Sequence, residues 1–162
     1  MIMTGYGTRD FYLEAKTLEA SGFLRWRVGT GERRSILIVE DDVSYRRALA
    51  KTFAKAGYQV TVAPDGQAAL QLLEKRSFDL VLTDLKMPGK SGLDLLRALR
   101  NRRPRPKVMI MTGYGTRDSY LEAKALEASG FLLKPLSRDY LLWAVRETLN
   151  QHDCPEDRSK EG

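Results

Sequence analysis

ILIVEDDVSYRRAL, residues 36–49, opens with four apolar residues in a row, breaks on three acids, and then sets Tyr45 and Leu49 at helical spacing. A continuous apolar run suits a strand buried on both faces, whereas a strand with one wet face alternates. The stretch therefore reads as strand, acidic loop and helix. The same order recurs along the chain. Apolar runs at 36–39, 58–62, 80–82, 108–111 and 131–133 alternate with segments of helical period. Tyr45, Leu49, Thr52, Phe53 and Ala56 share one helical face, and Gly57 supplies a stop. Asp65, Ser91, Thr116 and Ser137 stand where they can cap the four later helices. The pattern predicts five strands and five helices in βα units, an α/β fold whose right-handed crossovers place helices on both sides of a parallel sheet.

In doubly wound sheets of this kind, chemistry collects at the carboxyl ends of the strands. Those ends carry Glu40, Asp41 and Asp42 after the first run, Asp84 after the third, Thr112 after the fourth and Lys134 after the fifth. An N-cap would account for any one of the acids, but not for all of them together. Two carboxylates about 4 Å apart repel by roughly 4 kcal/mol at an effective dielectric near 20, so such a pocket calls for a cation. All-oxygen donors point to a hard divalent ion such as Mg²⁺ or Mn²⁺. A carboxylate beside such an ion, with an ammonium and a hydroxyl opposite, suits in-line attack on a phosphoryl group. The product is an aspartyl phosphate on Asp84.

The joint pattern of ILIVEDDVSYRRAL, DLVLTDLKMPGKSGLDLL, VMIMTGYG and GFLLKP resembles the receiver domain of two-component response regulators, over about residues 35–150. The resemblance implies a flavodoxin-like, five-stranded sheet of order 2-1-3-4-5, with Asp84 as phosphoacceptor. Arg46 selects Glu40 and Asp41 as the acidic pair. Asp41, Asp84 and the backbone carbonyl of Lys86 would hold Mg²⁺, with Glu40 acting largely through water. Lys134 would pair with the phosphoryl group, and its bond to Pro135 would be cis. Thr112 and Phe131 match the switch hydroxyl and switch aromatic, which reshape the face of the fourth helix, fifth strand and fifth helix on phosphorylation. Phe131 also suits a plain core position. Lys86 and Tyr114 fall where the family tunes acyl-phosphate lifetime, Tyr114 by crowding the attacking water. A histidine kinase or histidine phosphotransfer protein would be the donor and an effector protein the downstream partner, with room for a homodimer. The chain would catalyse its own phosphorylation and dephosphorylation without being a conventional enzyme.

Other classes fit less well. GKS at 89–91 lacks the glycine a P-loop needs five residues earlier, where Asp84 stands. A dehalogenase-like phosphatase normally needs a second Asp where this chain has Lys86. A constitutive protein-binding module would not require the full set of acids, Thr and Lys. The balance of 27 basic and 21 acidic residues, net +6, is too evenly mixed to name a nucleic-acid partner. The densest basic cluster, Arg97, Arg100, Arg102, Arg103, Arg105 and Lys107, reads as a solvated helix end complementing the helix dipole. One cysteine, Cys154, and one histidine, His152, build neither a disulfide framework nor a Cys/His metal site. No apolar run approaches the roughly 18 residues of a membrane span, and the N-terminus lacks the basic-then-apolar order of a signal peptide. The expectation is a cytoplasmic, stand-alone receiver.

The first 24 residues, MIMTGYGTRDFYLEAKTLEASGFL, return at 109–132 with 22 of 24 positions unchanged. The copy stops short of the chemistry, running on to Arg25, Trp26 and Arg27 where the later copy has Leu133, Lys134 and Pro135. Thr4 therefore has no partner lysine. Residues 1–34 are expected to be an extension ending in the flexible linker GTGERRS, and 151–162 a polar tail. Three readings of the extension stay open. It is a partial duplication or misplaced start; or an amphipathic helix bearing Phe11, Tyr12, Leu13 and Leu18; or a segment exchanged with the one it copies, which would block switching.

Overall fold

The structure, a computed structural model, describes Ile2–Met3 and residues 33–151. Among these residues the elements run β1 (Ile2–Met3), β2 (Ser35–Val39), α1 (Val43–Lys55), β3 (Gln59–Ala63), α2 (Gly66–Lys75), β4 (Leu80–Asp84), α3 (Gly92–Leu99), β5 (Lys107–Thr112), α4 (Arg117–Ala125), β6 (Gly130–Leu133) and α5 (Arg138–Asn150). One parallel sheet has the order β1-β6-β5-β4-β2-β3. Counted from Ser35, its five strands take the order 2-1-3-4-5 that the resemblance implies. The two-residue β1 is additional. Ile2 pairs with Gly130 and Met3 with Phe131, so β6 has a neighbour on each flank. The readings of residues 4–32 as a helix, an exchanged segment or a linker, and of 152–162 as a polar tail, lie outside the described residues.

The unbroken apolar runs are explained by two separate cores. Leu37, Val39, Val81, Ile110 and Phe131 face one way, packing with residues of α2, α3 and α4. Their sequence neighbours Ile36, Ile38, Leu80, Leu82, Met109, Met111 and Leu132 face the other, against α1 and α5. Because side chains alternate along a strand, a run buried on both sides has no polar position to spare.

All four predicted caps form. Asp65 accepts from Ala68 N, Ser91 from Asp94 N, Thr116 from Ser119 N and Ser137 from Tyr140 N. Gly57 ends the turn after α1 with φ +96°, in the left-handed region glycine favours. Two details differ from the sequence reading. Tyr58 is not the first residue of its strand, because its N–H donates to Phe53 O and belongs to the helix-ending turn. The basic cluster does begin at a helix end, with Arg97 in the last turn of α3 and Arg100 as its C-cap, but Arg102, Arg103, Arg105 and Lys107 lie beyond it. Arg97 pairs with Asp94 and with Glu122, Arg105 pairs with Glu127, and Lys107 opens β5. Among the described residues no helix is long and apolar enough to cross a membrane.

Candidate functional site

The strand ends bring the predicted residues to one rim. Glu40 follows β2 and is buried, 1% exposed, while Asp41 beside it is exposed. Asp84 ends β4, and carboxylate oxygens of Glu40, Asp41 and Asp84 all lie within 4.8 Å of one another. Lys134, just past β6, spans two of them. Its Nζ is 3.0 Å from Glu40 Oε2 and 3.3 Å from Asp84 Oδ2. The peptide bond from Lys134 to Pro135 is cis, as the resemblance implies.

Each group is held by its local backbone. Arg46 Nη1 donates to the Glu40 carbonyl at 2.7 Å, tying the first turn of α1 to the acidic loop. Glu40 Oε1 accepts from Asp42 N at 3.1 Å. Asp42, the third acid, is the N-cap of α1, accepting from Tyr45 N at 2.7 Å. Helix α3 packs its start against β4, with Gly92 N donating to Leu85 O at 3.0 Å. A Cβ on Gly92 would stand 2.4 Å from Asp84 O, so this approach requires glycine.

The electrostatics follow from burial and pairing. Burial pushes the Glu40 carboxyl above its ordinary value, against the opposing bond from Lys134. Burial works to lower the Lys134 ammonium as well, but its bond to Glu40 and the charges of Asp84 and Glu40 outweigh it. The net direction is upward, and the ammonium stays charged through neutral pH. Three carboxylates and one ammonium leave the pocket negative. An all-oxygen donor set, with neither Cys nor His among the described residues there, fits a hard divalent cation.

Thr112 and Phe131, which the resemblance matches to switch positions, lie one step away. Thr112, 1% exposed, ends β5, and its Oγ1 accepts from Tyr114 N at 3.1 Å. Phe131 is buried and meets Tyr120 edge to face, with ring centroids 5.7 Å apart. Gly115 lies against both: a Cβ there would meet Leu133 Cδ2 at 2.6 Å, Phe131 Cε1 at 3.1 Å and Thr112 Cγ2 at 3.2 Å. Lys86 and Tyr114 are exposed and touch each other, with the ammonium 5.1 Å from the ring centroid.

Sequence reasoning missed one neighbour of this site. Tyr45, counted among the core-facing residues of α1, places its ring 4.6 Å from Lys134 Nζ. Helical spacing gives the side of α1 that faces the sheet but not which loop lies above its first turn.

With this geometry, comparison with known proteins is direct. A family model for the response regulator receiver domain matches residues 36–146, and the chain belongs to that family. Response regulator protein FleR of Pseudomonas aeruginosa is 38% identical over 117 residues, 72% of this chain and 25% of its own length. Transcriptional regulatory protein ZraR of Klebsiella oxytoca is 36% identical over 120 residues, 74% of this chain and 27% of its own. The chain thus spans about a quarter of each. Sporulation initiation phosphotransferase F of Bacillus subtilis is 39% identical over 114 residues, 70% of this chain and 92% of its own length. Chemotaxis protein CheY4 of Vibrio cholerae superposes with a TM-score of 0.68 at 29% identity, covering 72% of this chain and 99% of that one. Membership makes this a phosphoryl-accepting signalling domain of two-component systems. Receiver domains bind Mg²⁺ at an acidic pocket, and they meet histidine kinases or phosphotransfer proteins and effectors.

Proposed function

We propose that Asp84 accepts a phosphoryl group from the phosphohistidine of a kinase or phosphotransfer protein, and that the acyl phosphate switches the surface of α4, β6 and α5. The observation that carries this reading is the Lys134 ammonium bridging Glu40 and Asp84 at the carboxyl end of the sheet. Asp41, Asp84 and the Lys86 carbonyl would hold Mg²⁺ or Mn²⁺, with Glu40 reaching it through water. The ion, when bound, neutralises charge on the phosphoryl oxygens. Asp84 then attacks phosphorus in line, the bond to the imidazole nitrogen breaks with its electron pair, and Lys134 stabilises the transferred group. Thr112 bonds the phosphoryl group in one of two states only, so phosphorylation of Asp84 shifts the population toward that state, and Phe131 follows. The unit that does this is residues 35–150.

Incubation with Mg²⁺ and acetyl phosphate tests the assignment. The wild type should gain one phosphoryl group by intact mass and Asp84→Asn none; an equal gain in both would remove Asp84 from the reaction.

Tyr114 and Lys86 are exposed, each two residues beyond Thr112 and Asp84 respectively, and their contact supports a joint role in the lifetime of the acyl phosphate. Tyr114→Ala should shorten the half-life of phosphate release severalfold, because it clears a path for the attacking water. An unchanged half-life would dismiss that role.

A further inference from the structure

Tyr45 has no part in the transfer just described, yet it is the aromatic group that meets Lys134. The contact is built from the sequence upward. Asp42 caps α1 through Tyr45 N, which fixes Tyr45 in the first helical turn. From there the half-buried side chain packs against the core shared by α1 and α5 and sets its ring 4.6 Å from the Lys134 ammonium. The faces of aromatic rings carry negative potential, and an ammonium at this distance is attracted to one.

The value of such a contact depends on what else holds the lysine. Its two polar partners, Glu40 Oε2 at 3.0 Å and Asp84 Oδ2 at 3.3 Å, belong to the same acidic cluster that fits a divalent cation. A cation bound there would compete with the ammonium for those oxygens and weaken both bonds. It would not compete for the ring. The long lysine stem, freed from its carboxylates, would otherwise sample solvent.

We propose that Tyr45 is a positioning residue for Lys134, its ring holding the ammonium over the rim of the pocket when the carboxylates are engaged elsewhere, so that the lysine is in place as the phosphoryl group arrives. This rests on the assignment of Asp84 as phosphoacceptor and Lys134 as its cationic partner. The phenol group is not what the contact uses. Burial first, then the nearby Glu40 and Asp84 charges, raise its pKa against the opposing pull of Lys134, and it stays neutral. The face of the ring is what meets the ammonium, so phenylalanine should serve and leucine should not.

Two measurements on the full chain separate the possibilities. In the first, the metal-free protein is observed by proton NMR. Ring current from Tyr45 should move the Lys134 ε-methylene protons upfield in wild type and Tyr45→Phe, and they should return to the ordinary lysine position in Tyr45→Leu. In the second, the rate constant for phosphorylation by acetyl phosphate with Mg²⁺ should fall about 3- to 10-fold in Tyr45→Leu and stay within about twofold of wild type in Tyr45→Phe. Urea midpoints establish that each variant is folded. Should Tyr45→Leu not fold, Tyr45→Met carries the same comparison with a flexible apolar side chain. A folded leucine or methionine variant that phosphorylates at the wild-type rate overturns the proposal. So does a phenylalanine variant as slow as leucine, or a Lys134 signal indifferent to the ring. A wild type that takes up no phosphoryl group overturns the assignment of Asp84 instead, an outcome recognisable because the NMR comparison still reports the Tyr45–Lys134 contact.

Discussion

Lys134→Ala is expected to lower the stability of the metal-free protein by about 3 kcal/mol at pH 7, the scale for removing one partner of a buried ion pair. Glu40 is 1% exposed and the Lys134 side chain 22%, so the variant leaves a carboxylate in the interior whose main counter-charge is gone. The sign of the pH dependence follows. Burial already raises the Glu40 carboxyl, and without the ammonium it rises further. As pH falls through that raised value Glu40 takes a proton and the penalty disappears, so the variant should approach the wild type in acid. In the wild type, the raised value of Lys134 keeps its contribution intact through neutral pH, to be lost only on the alkaline side. Mg²⁺ should restore part of the variant's deficit by supplying the missing positive charge. Urea midpoints between pH 5 and 8, with chelator and with Mg²⁺, test all three. A deficit that grows on acidification would mean that Glu40 is not the group left stranded.

Gly92→Ala should cost about 3 kcal/mol, at the upper end of what overpacking usually costs. The added methyl would meet Asp84 O at 2.4 Å and Leu85 Cα at 3.2 Å. Both are backbone atoms of the strand end, with no side chain to swing aside. The start of α3 must then lift from β4, and since the contact falls on the Asp84 residue itself, phosphoryl uptake should drop with stability. Gly113→Ala is the control, because a Cβ there meets nothing within 4 Å. Thermal unfolding of the two variants side by side decides the matter. Equal melting temperatures would show that α3 yields without cost.

The parts of this fold that were legible in the sequence are those whose chemistry is local or periodic. Asp65, Ser91, Thr116 and Ser137 announce helix starts because a cap needs only its own hydroxyl or carboxylate and an N–H three residues on. The rim residues could be found because a parallel sheet aligns its strand ends, so reading the polar residues that follow the apolar runs collects Glu40, Asp84, Thr112 and Lys134 without knowing any distance. Features that depend on how two elements meet were hidden. Nothing near Gly92 signals that its missing side chain lets α3 touch the Asp84 carbonyl. Tyr45 fits an apolar helical face so well that its place above Lys134, reached only when α1 docks beside β6's outgoing loop, left no mark in the spacing. Tyr58 misled for a similar reason: an aromatic suits a strand, but here its N–H closes the turn after α1. The run of cations marked the end of α3, but not the partners of those beyond it, such as Glu127 for Arg105, which come from another part of the chain.

The division of the core into two has a consequence for how the molecule loses its structure. Residues that alternate along β2, β4 and β5 belong to different helical layers, so neither layer can keep its half of the core once the sheet between them opens. With no smaller unit able to remain folded, the described receiver should melt as one cooperative body. The rim that carries Asp84 then owes its rigidity as much to Ile36 or Leu99, buried well away from it, as to anything it touches. A loss of packing on either side is shared by the whole, Asp84 included.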